Sequence, residues 1–545
     1  MEPVTTEVPR PNVARNAGVI SLAVMASRVL GLVRDQVFAI FFGAGFHYDA
    51  FLTAFRIPNL LRDLFAEGAL SSAFVTNFTQ VLEKKGEKEA IRLSNRVATL
   101  IIIVITIISV FAWFEAPAIV GALAPGFFAL PGKAELATEL TRIMIPFLLF
   151  IALAAQAMGI LNAHGRFGVP ALASAFFNLG SIIGGLLLGF ALGPRIGISS
   201  IAGMAYGTVI GGFLQFAVQW PSLRRVGFNY RPMLSLSDPG VRQIIGMMGP
   251  AIIGTAAVQI NIFVNTNFAS SIIDPATGAV ANGPVSWLNY AFRFMQFPIG
   301  VFGVAIATAA LPQLSRDSAR ADYDNFRRTL VHALTLVFVL CIPSAAGLAV
   351  LGRPIIALIF EHGRFTAFDT VQTGNALAAY AIGLAGYAAV KVLSPAFYAF
   401  GSARTPMLIS LGSIAVNYVM NALLVGPFGH VGLAVSTSGV ALVNCLLLGV
   451  FMRRKLGRIA GRELSVTALR IAAASVPMAA VAWLVNDVAT LLPLVGLALN
   501  LVRVPLAIAL AVITFYFASR WFRVAEVDEA VGAVAGRLLR LLRRK

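Results

Sequence analysis

Charged side chains are scarce in this sequence. Asp, Glu, Lys and Arg make up 12% of its 545 residues, about half the roughly 25% of an ordinary soluble domain. That deficit excludes a chain of soluble domains, whose surfaces have to be polar. Cysteine is nearly absent. Cys341 and Cys445 both lie in apolar runs, which excludes a disulfide framework and gives no sign of redox or metal chemistry. His47, His164, His332, His362 and His430 are scattered, and no metal site is expected. There is no HExxH, no GxSxG and no GxxxxGK[ST] stretch, so the common zinc hydrolases, serine hydrolases and P-loop ATPases are excluded. No cofactor is expected. Any work must draw on the membrane potential, on a gradient such as that of a monovalent cation, or on downstream consumption of the product.

Apolar residues fill the space that charge leaves, at 58% of the chain. Runs of about 20 such residues, enough to cross ~30 Å of hydrocarbon, recur along nearly its whole length. The pattern predicts an all-α polytopic membrane protein with fourteen transmembrane helices. They are expected over 17–42, 49–82, 97–124, 138–163, 168–192, 198–220, 243–272, 285–315, 327–351, 369–399, 405–426, 430–452, 467–487 and 491–519. The second is too long for one straight span, and Pro58 and Gly68 are where it is expected to bend or break. The polar, proline-containing start "MEPVTTEVPRPNVARN" has no small-residue cleavage site and reads as a cytoplasmic leader over 1–16.

Basic residues sort by loop. Arg10, Arg15, Lys84, Lys85, Lys88, Arg166, Arg224, Arg225, Arg316, Arg320, Arg404 and the cluster Arg453, Arg454 and Lys455 fall on one side. The alternate loops hold only Lys133, Arg195, Arg353 and Arg364. The positive-inside rule then places both termini in the cytoplasm and reads the net charge of +18 as anchoring charge rather than a nucleic-acid surface. The tail, with apolar residues at helical spacing and Arg537, Arg540, Arg543 and Arg544 near its end, suits either an amphipathic helix on anionic lipid or a solvated basic segment.

The two halves of the chain resemble each other at a nearly constant offset. "RLSNRVATLIIIV" from Arg92 returns as "RTLVHALTLVFVL" from Arg328, and "NAHGRFGVPALAS" from Asn162 returns as "YAFGSARTPMLIS" from Tyr398. Both shifts are 236 residues (328 − 92 and 398 − 162). "LTAFRI" near Arg56 and "LNYAFRF" near Arg293 are a further pair, and "APAIVGAL" and "RPIIALIF" a weaker one. A six-helix unit repeated once gives two parallel repeats, a common way to build a transporter with its site between the halves. The expected organisation is an N-terminal lobe over 17–225, a cytoplasmic linker over 226–242 and a C-terminal lobe over 243–453. A basic cytoplasmic loop over 454–466, two extra helices over 467–519 and the tail over 520–545 complete it.

Polar residues inside these helices are few and clustered. The first helix carries Ser27, Arg28, Gly31, Arg34 and Asp35 in "ASRVLGLVRDQVFAIFFG". Arg28 and Asp35 are seven residues apart, so they lie on nearly one face, and Gly31 between them permits a bend or a close approach. In the second helix Asn59, Asp63 and Glu67 follow at i, i+4 and i+8, with Arg62 beside them. The seventh carries Gln259, Asn261, Asn265 and Asn267, and the eighth carries Arg293. A charge at the bilayer centre costs about 2.5–3.5 kcal/mol on insertion scales, so such residues face a bundle interior or a watery cavity. For each residue a helix-locking ion pair and a ligand contact are both open. As a set, the excess of arginine suggests an anion, and guanidinium forks match phosphate oxygens. Lys391 either joins them or snorkels to the interface.

"SRVLGLVRD", "DAFLTAFRIPNLLRDLFAEGALSSAFV", "VSWLNYAFRFMQFPIGVFGVAIATAALPQLS" and "LSPAFYAFGSARTP" resemble the MurJ (MviN) family of bacterial lipid II flippases, within the multidrug/oligosaccharidyl-lipid/polysaccharide exporter superfamily. The resemblance spans essentially the whole chain. It implies two six-helix lobes, two extra helices that shape a groove for a lipid tail, and a cationic central cavity exposed alternately to cytoplasm and periplasm. It implies lipid II as partner, held among membrane lipids of the bacterial inner membrane, and admits cell-wall synthesis proteins as further partners. By motif, Arg28, Arg34, Arg62 and Arg293 resemble the family's cavity arginines, and Asp35, Asp49, Asn59 and Glu67 its polar gate and support residues. The resemblance departs at Phe292 and Gln296, where some members carry acids; that removes an ion-pair partner for Arg293 within its own helix. An exporter of another polyprenyl-linked oligosaccharide or of drugs is a second reading, although cationic drugs would favour acids over arginines. A membrane-embedded polyprenyl-diphosphate sugar transferase or ligase is a third, and it would need a catalytic centre in a sizeable outer loop that this chain lacks.

The loop assignment is testable with single cysteines in a background lacking Cys341 and Cys445. Cysteines at Gly283 and Gly461 should react with an impermeant thiol reagent from opposite sides of the membrane. Labelling of both from the same side would overturn the helix count and the repeat with it.

Overall fold

The computed structural model describes residues 13–63, 71–457, 461–494, 496–524, 526–529 and 532. Among them the regular structure is helical, with one isolated bridge between Ile273 and Val280. Among the described residues nine helices are long and apolar enough to cross a membrane, or ten if the bent pair Ala367–Ile382 and Leu384–Ala399 counts as one span. The chain is therefore a multi-pass helical membrane protein. Apolar side chains confirm the solvent for which it is built. Leu469, Val476, Phe517 and Trp521 are all more than 60% exposed, an arrangement suited to hydrocarbon and adverse in water.

Two compact units divide the chain, one formed by 1–38 and 46–259, the other by 39–45 and 260–545. The first holds α1 (Val13–Phe42, through Phe38), α2 (Phe46–Leu61), α3 (Ser71–Lys85), α4 (Glu87–Phe114) and α5 (Ala116–Leu123). It continues with α6 (Lys133–Met144), α7 (Phe147–Ala163), α8 (Gly168–Leu186), α9 (Ser200–Ala217), α10 (Trp220–Arg225) and α11 (Pro239–Ser270, through Gln259). Its core is aromatic and aliphatic, with Phe74, Phe78, Phe147, Ile151 and Phe177 buried together.

Some expected helices are finer in structure than in sequence. The segment 97–124 breaks at Glu115 into α4 and α5, with Pro117 in the first turn of the second piece, where a missing N–H is harmless. The segment 138–163 starts earlier, at Lys133, and is divided before Phe147 at Pro146. α2 runs through Pro58, so that proline does not end it; Gly68 lies outside the described residues. α1 continues as helix through Gly31.

α9 closely approaches α8 and the turn Leu187–Ala191 that follows it. Gly203, Gly207 and Gly211 repeat every fourth residue on one face of α9. A Cβ on Gly203 would meet the backbone of Gly189, one on Gly207 the backbone of Gly185, and one on Gly211 the carbonyl of Phe177. Small residues let membrane helices touch backbone to backbone, where van der Waals contact replaces the hydrophobic drive that lipid cannot supply.

The second unit holds α12 (Pro284–Pro298), α13 (Val304–Ala319), α14 (Tyr323–Phe360), α15 (Ala367–Ile382), α16 (Leu384–Ala399), α17 (Arg404–Leu456), α18 (Gly461–Val488) and α19 (Gly496–Trp521). α17 is two helices joined at a kink, where Gly429 adopts φ 55° and ψ −134° after Pro427, a conformation that needs glycine. α18 and α19 pack on α14 through Leu351, Met478, Ala482, Ala507 and Ala511. The start of the tail packs here too: Val524 and Val527 are buried with Val339 and Ile471.

The seventh-helix asparagines singled out in the sequence tie this unit together. Asn265 Oδ1 accepts from Asn417 Nδ2 at 3.0 Å and Asn421 Nδ2 at 2.8 Å, and Asn265 Nδ2 donates to Thr437 Oγ1 at 3.2 Å. Asn261 Nδ2 donates to Ser413 Oγ. An amide in lipid has to find its partner on another helix, and these contacts bind both halves of α17 to α11.

Gly207→Ala and Gly246→Ala separate packing from helix propensity. A methyl at Gly207 meets backbone, whereas Gly246 has open space around it. Thermal unfolding in detergent should show Gly207→Ala destabilised by about 1–3 kcal/mol through overpacking, with Gly246→Ala neutral or slightly stabilised. Equal effects at the two sites would remove the close-approach argument.

Candidate functional site

The polar groups of α1 are held by α8. Asn178 Nδ2 donates to the carbonyl of Ser27 at 3.0 Å, and the missing Cβ of Gly31 would lie 3.6 Å from the same nitrogen. The glycine thus leaves room for a side chain that grips the helix backbone. One residue before Asn178, Phe177 places its ring 5.7 Å from the Arg34 guanidinium. Arg34 Nη2 donates to Asp35 Oδ1 at 3.1 Å, with side-chain exposures of 14% and 3%. Arg34 is therefore charge-paired and stacked, and Asp35 is buried against it. Arg28, two turns earlier, is exposed on the unit and has no ion-pair partner among the described residues. The face shared by Arg28 and Asp35 is real in register, but the arginine that meets Asp35 is its neighbour Arg34.

The end of α2 repeats the motif. Arg62 Nε and Nη2 both donate to Asp63 Oδ1, at 3.1 and 2.9 Å. The other oxygen, Oδ2, accepts from Gln259 Nε2 of α11 at 3.1 Å. Both side chains stay about one-quarter exposed. Asn59 is half-buried on the same helix, as is Arg56. Glu67 lies outside the described residues, so the stripe is seen only as far as Asp63. In the second unit Arg293 is exposed on α12 beside the buried Met295, with Phe292 packed edge-on against Tyr380. Lys391 is exposed on α16.

Asp49 has a different setting. It sits in the first turn of α2 and is fully buried, with Lys133 Nζ donating to its Oδ2 at 2.9 Å. The side-chain exposures are 0% for Lys133 and 1% for Asp49. The ammonium also stands 4.3 Å from the Phe127 ring and 5.8 Å from that of Phe46, a cation–π arrangement that strengthens when water is absent. The sequence assigned Lys133 to a loop as a surface charge; in the structure it is the first residue of α6 and an interior one. A cation at a helix N-terminus is opposed by the helix dipole, so the carboxylate and the two rings are what hold it there.

Among the described residues no group of three or more His, Cys, Asp or Glu is placed to hold a metal ion. The site's chemistry is that of guanidinium groups in apolar helices, two of them neutralised by adjacent carboxylates. Guanidinium groups of this kind complement an anion, and among the described residues of the site no nucleophile is paired with a base. Sequence reasoning missed Asn178, Phe177 and the Lys133 partnership. The only signal for the first two was a polar and an aromatic residue in the glycine-rich α8.

Comparison with known proteins bears on this arrangement. Residues 38–502 match the family model described as "Lipid II flippase MurJ". The chain is 35% identical over 448 residues to the lipid II flippase MurJ of Burkholderia cenocepacia, covering 82% of this chain and 84% of that one. It is 37% identical over 437 residues to the probable lipid II flippase MurJ of Vibrio cholerae, covering 79% and 81%. A solved structure of lipid II flippase MurJ in an inward closed conformation superposes with a TM-score of 0.76 at 27% identity, covering 94% of this chain and 99% of that one. An inward-facing multidrug resistance MATE transporter of the MOP superfamily shares the fold, with a TM-score of 0.66 at 16% identity over 82% and 99% of the two chains.

The buried pair is open to a charge-deletion test. Asp49→Asn and Lys133→Met each remove one charge of the buried pair, and each should cost about 3–5 kcal/mol. Membrane abundance and thermal stability in detergent should fall for both single variants and recover in Asp49→Leu/Lys133→Met. Single variants as stable as the parent would show that the pair is not what holds α2 against α6.

Proposed function

This chain belongs to the MurJ family of lipid II flippases, and we propose that it moves lipid II, an undecaprenyl-diphosphate-linked disaccharide-peptide, from the cytoplasmic to the periplasmic leaflet of the bacterial inner membrane by alternating access. Physical chemistry supports the reading. A diphosphate-sugar head cannot cross ~30 Å of hydrocarbon unaided, whereas its prenyl chain is already at home there. The protein has to replace the hydration of the head and break no bond, so it is a transporter and not an enzyme. The observation that carries the proposal is Arg28. It is a guanidinium on an apolar helix, without an ion-pair partner among the described residues, two turns from the Arg34–Asp35 pair.

In this reading Arg28, Arg34 and Arg62 of the first unit, and Arg293 of the second, are anion-binding groups. Asp35 and Asp63 hold two of them in place, Asn59, Glu67 and Asp49 are supporting polar groups, and Ser27 and Gly31 form the contact through which Asn178 sets the position of α1. The chain crosses the membrane fourteen times, as two parallel six-helix repeats and two further helices, with both termini cytoplasmic. The basic alternation of loops and the offset of 236 residues between "RLSNRV" and "RTLVHA" support that topology. The energy input is the membrane potential or a monovalent-cation gradient, consistent with the absence of a nucleotide-binding loop from the sequence. Cell-wall synthesis proteins are natural partners for a carrier that delivers their substrate. The arginine excess disfavours cationic drugs as cargo.

Lipid II translocation, measured in cells depleted of their own flippase, tests the assignment together with membrane abundance. Arg28→Ala should abolish translocation at unchanged abundance, and Arg293→Ala should abolish translocation. Arg34→Ala and Arg62→Ala should abolish it too, and by removing the guanidinium paired with Asp35 or Asp63 they should also lower abundance. Lysine should restore little at any of the four, since a point charge does not reproduce a bidentate fork. Normal translocation by Arg28→Ala would overturn the assignment.

A further inference from the structure

The first unit carries a second polar cluster, on α6, whose cavity none of the arginines of α1 and α2 lines. A cavity of about 650 Å³ opens beside α6, walled by Trp113, Phe128 and Tyr206. Glu135, Glu139 and Arg142 line it. They follow one another at i, i+4 and i+7 on α6, so they project from one face. Arg142 is anchored at one edge: its Nε donates to the carbonyl of Trp113 at 3.1 Å, and its guanidinium lies 4.8 Å from the Trp113 ring. Among the described residues the two terminal nitrogens of the fork have no hydrogen-bond partner. Glu135 and Glu139 are exposed and have no ion-pair partner among the described residues.

A second, apolar slot of about 310 Å³ runs between α4 and α7 and shares Trp113 and Pro146 with the first cavity. Val110, Phe114 and Phe150 line it. Its polar atoms are few, and one of them, Ser109 Oγ, is buried without a hydrogen-bond partner. A charged chamber joined to a hydrocarbon slot has the form of a site for an amphiphile. The level fits as well. Trp113 and Phe114 end α4, and with Phe128 and Tyr206 they make an exposed aromatic group of the kind found where headgroups meet hydrocarbon.

We propose that this double cavity binds a zwitterionic phospholipid whose head carries a primary ammonium beside its phosphate. Two carboxylates and one guanidinium repel a purely anionic head and complement an ammonium–phosphate one. The fork of Arg142 takes phosphate oxygens, and the three N–H donors of a primary ammonium reach Glu135 and Glu139. A quaternary ammonium has no such donors. One acyl chain occupies the slot past Val110. The site makes the lipid next to α4 and α6 a bound component of the first unit, independent of the cargo of the arginines.

The full chain purified in detergent, titrated with dioleoyl lipids and read by native mass spectrometry and thermal stability, tests this directly. The parent should bind phosphatidylethanolamine saturably and more tightly than phosphatidylcholine or phosphatidylglycerol. Glu135→Gln/Glu139→Gln should weaken phosphatidylethanolamine by about fivefold or more, as expected for the loss of two half-exposed ion pairs, and erase its advantage over phosphatidylcholine. Val110→Trp, which fills the slot from an exposed position, should weaken all three lipids. Neither variant should change the melting temperature without added lipid. Equal binding of the ethanolamine and choline lipids by the parent, or unchanged ethanolamine-lipid affinity in the double glutamine variant, would overturn the proposal. Unchanged affinities in Val110→Trp would overturn the assignment of the slot to an acyl chain.

Discussion

An ionised side chain placed in hydrocarbon has to find its counter-charge within the protein, and most of what is distinctive in this molecule follows from that constraint. The chain answers it in graded ways. Lys133 and Asp49 are sealed completely and further enclosed by aromatic rings. Arg34 and Asp35 are largely covered. Arg62 and Asp63 remain open on one side, with Gln259 completing the carboxylate's hydrogen bonds. Arg28 is left to its surroundings. The series runs from charge that serves the fold to charge that the proposed function assigns to a ligand, and burial orders the residues along it.

Neutral polar groups obey the same rule at lower stakes. The asparagines of α11 reach across to both halves of α17, and Asn178 spends its amide on a main-chain carbonyl of α1. Where no polar bond is available, α8 and α9 draw together by giving up side chains altogether. Hydrogen bonds and close backbone contact thus take the place that hydrophobic burial holds in water-soluble proteins.

Much of this was legible in the sequence, because hydropathy reports directly on which segments enter lipid. The helical segments and the rare intramembrane charges were visible as composition. Positions such as Pro58, which α2 absorbs, and Glu115, where α4 stops, were not, since both depend on packing rather than on local propensity. Lys133 was misplaced for a related reason. A charge rule counts residues near helix ends and is blind to a partner distant in sequence, so a buried lysine looks like a loop lysine. Asn178 and Phe177 gave no warning, because one amide and one ring in an apolar helix are ordinary until a neighbour is seen. The cluster of Glu135, Glu139 and Arg142 reads in sequence as a solvated helix face; only the walls contributed by Trp113 and Tyr206 make it a chamber.

The Lys133–Asp49 pair also constrains how the molecule can be made. The two residues are 84 positions apart, and a ribosome adding roughly 5–20 residues per second takes about 4–17 seconds to travel from one to the other. Throughout that interval the aspartate has been synthesised and its counter-ion has not. An ionised Asp49 without Lys133 is costly to seat in hydrocarbon, which favours a hydrated surface or the insertion machinery for the start of α2 over that interval. Its final seat becomes available only when α6 arrives. Biogenesis of this unit is therefore not a one-way threading of finished helices.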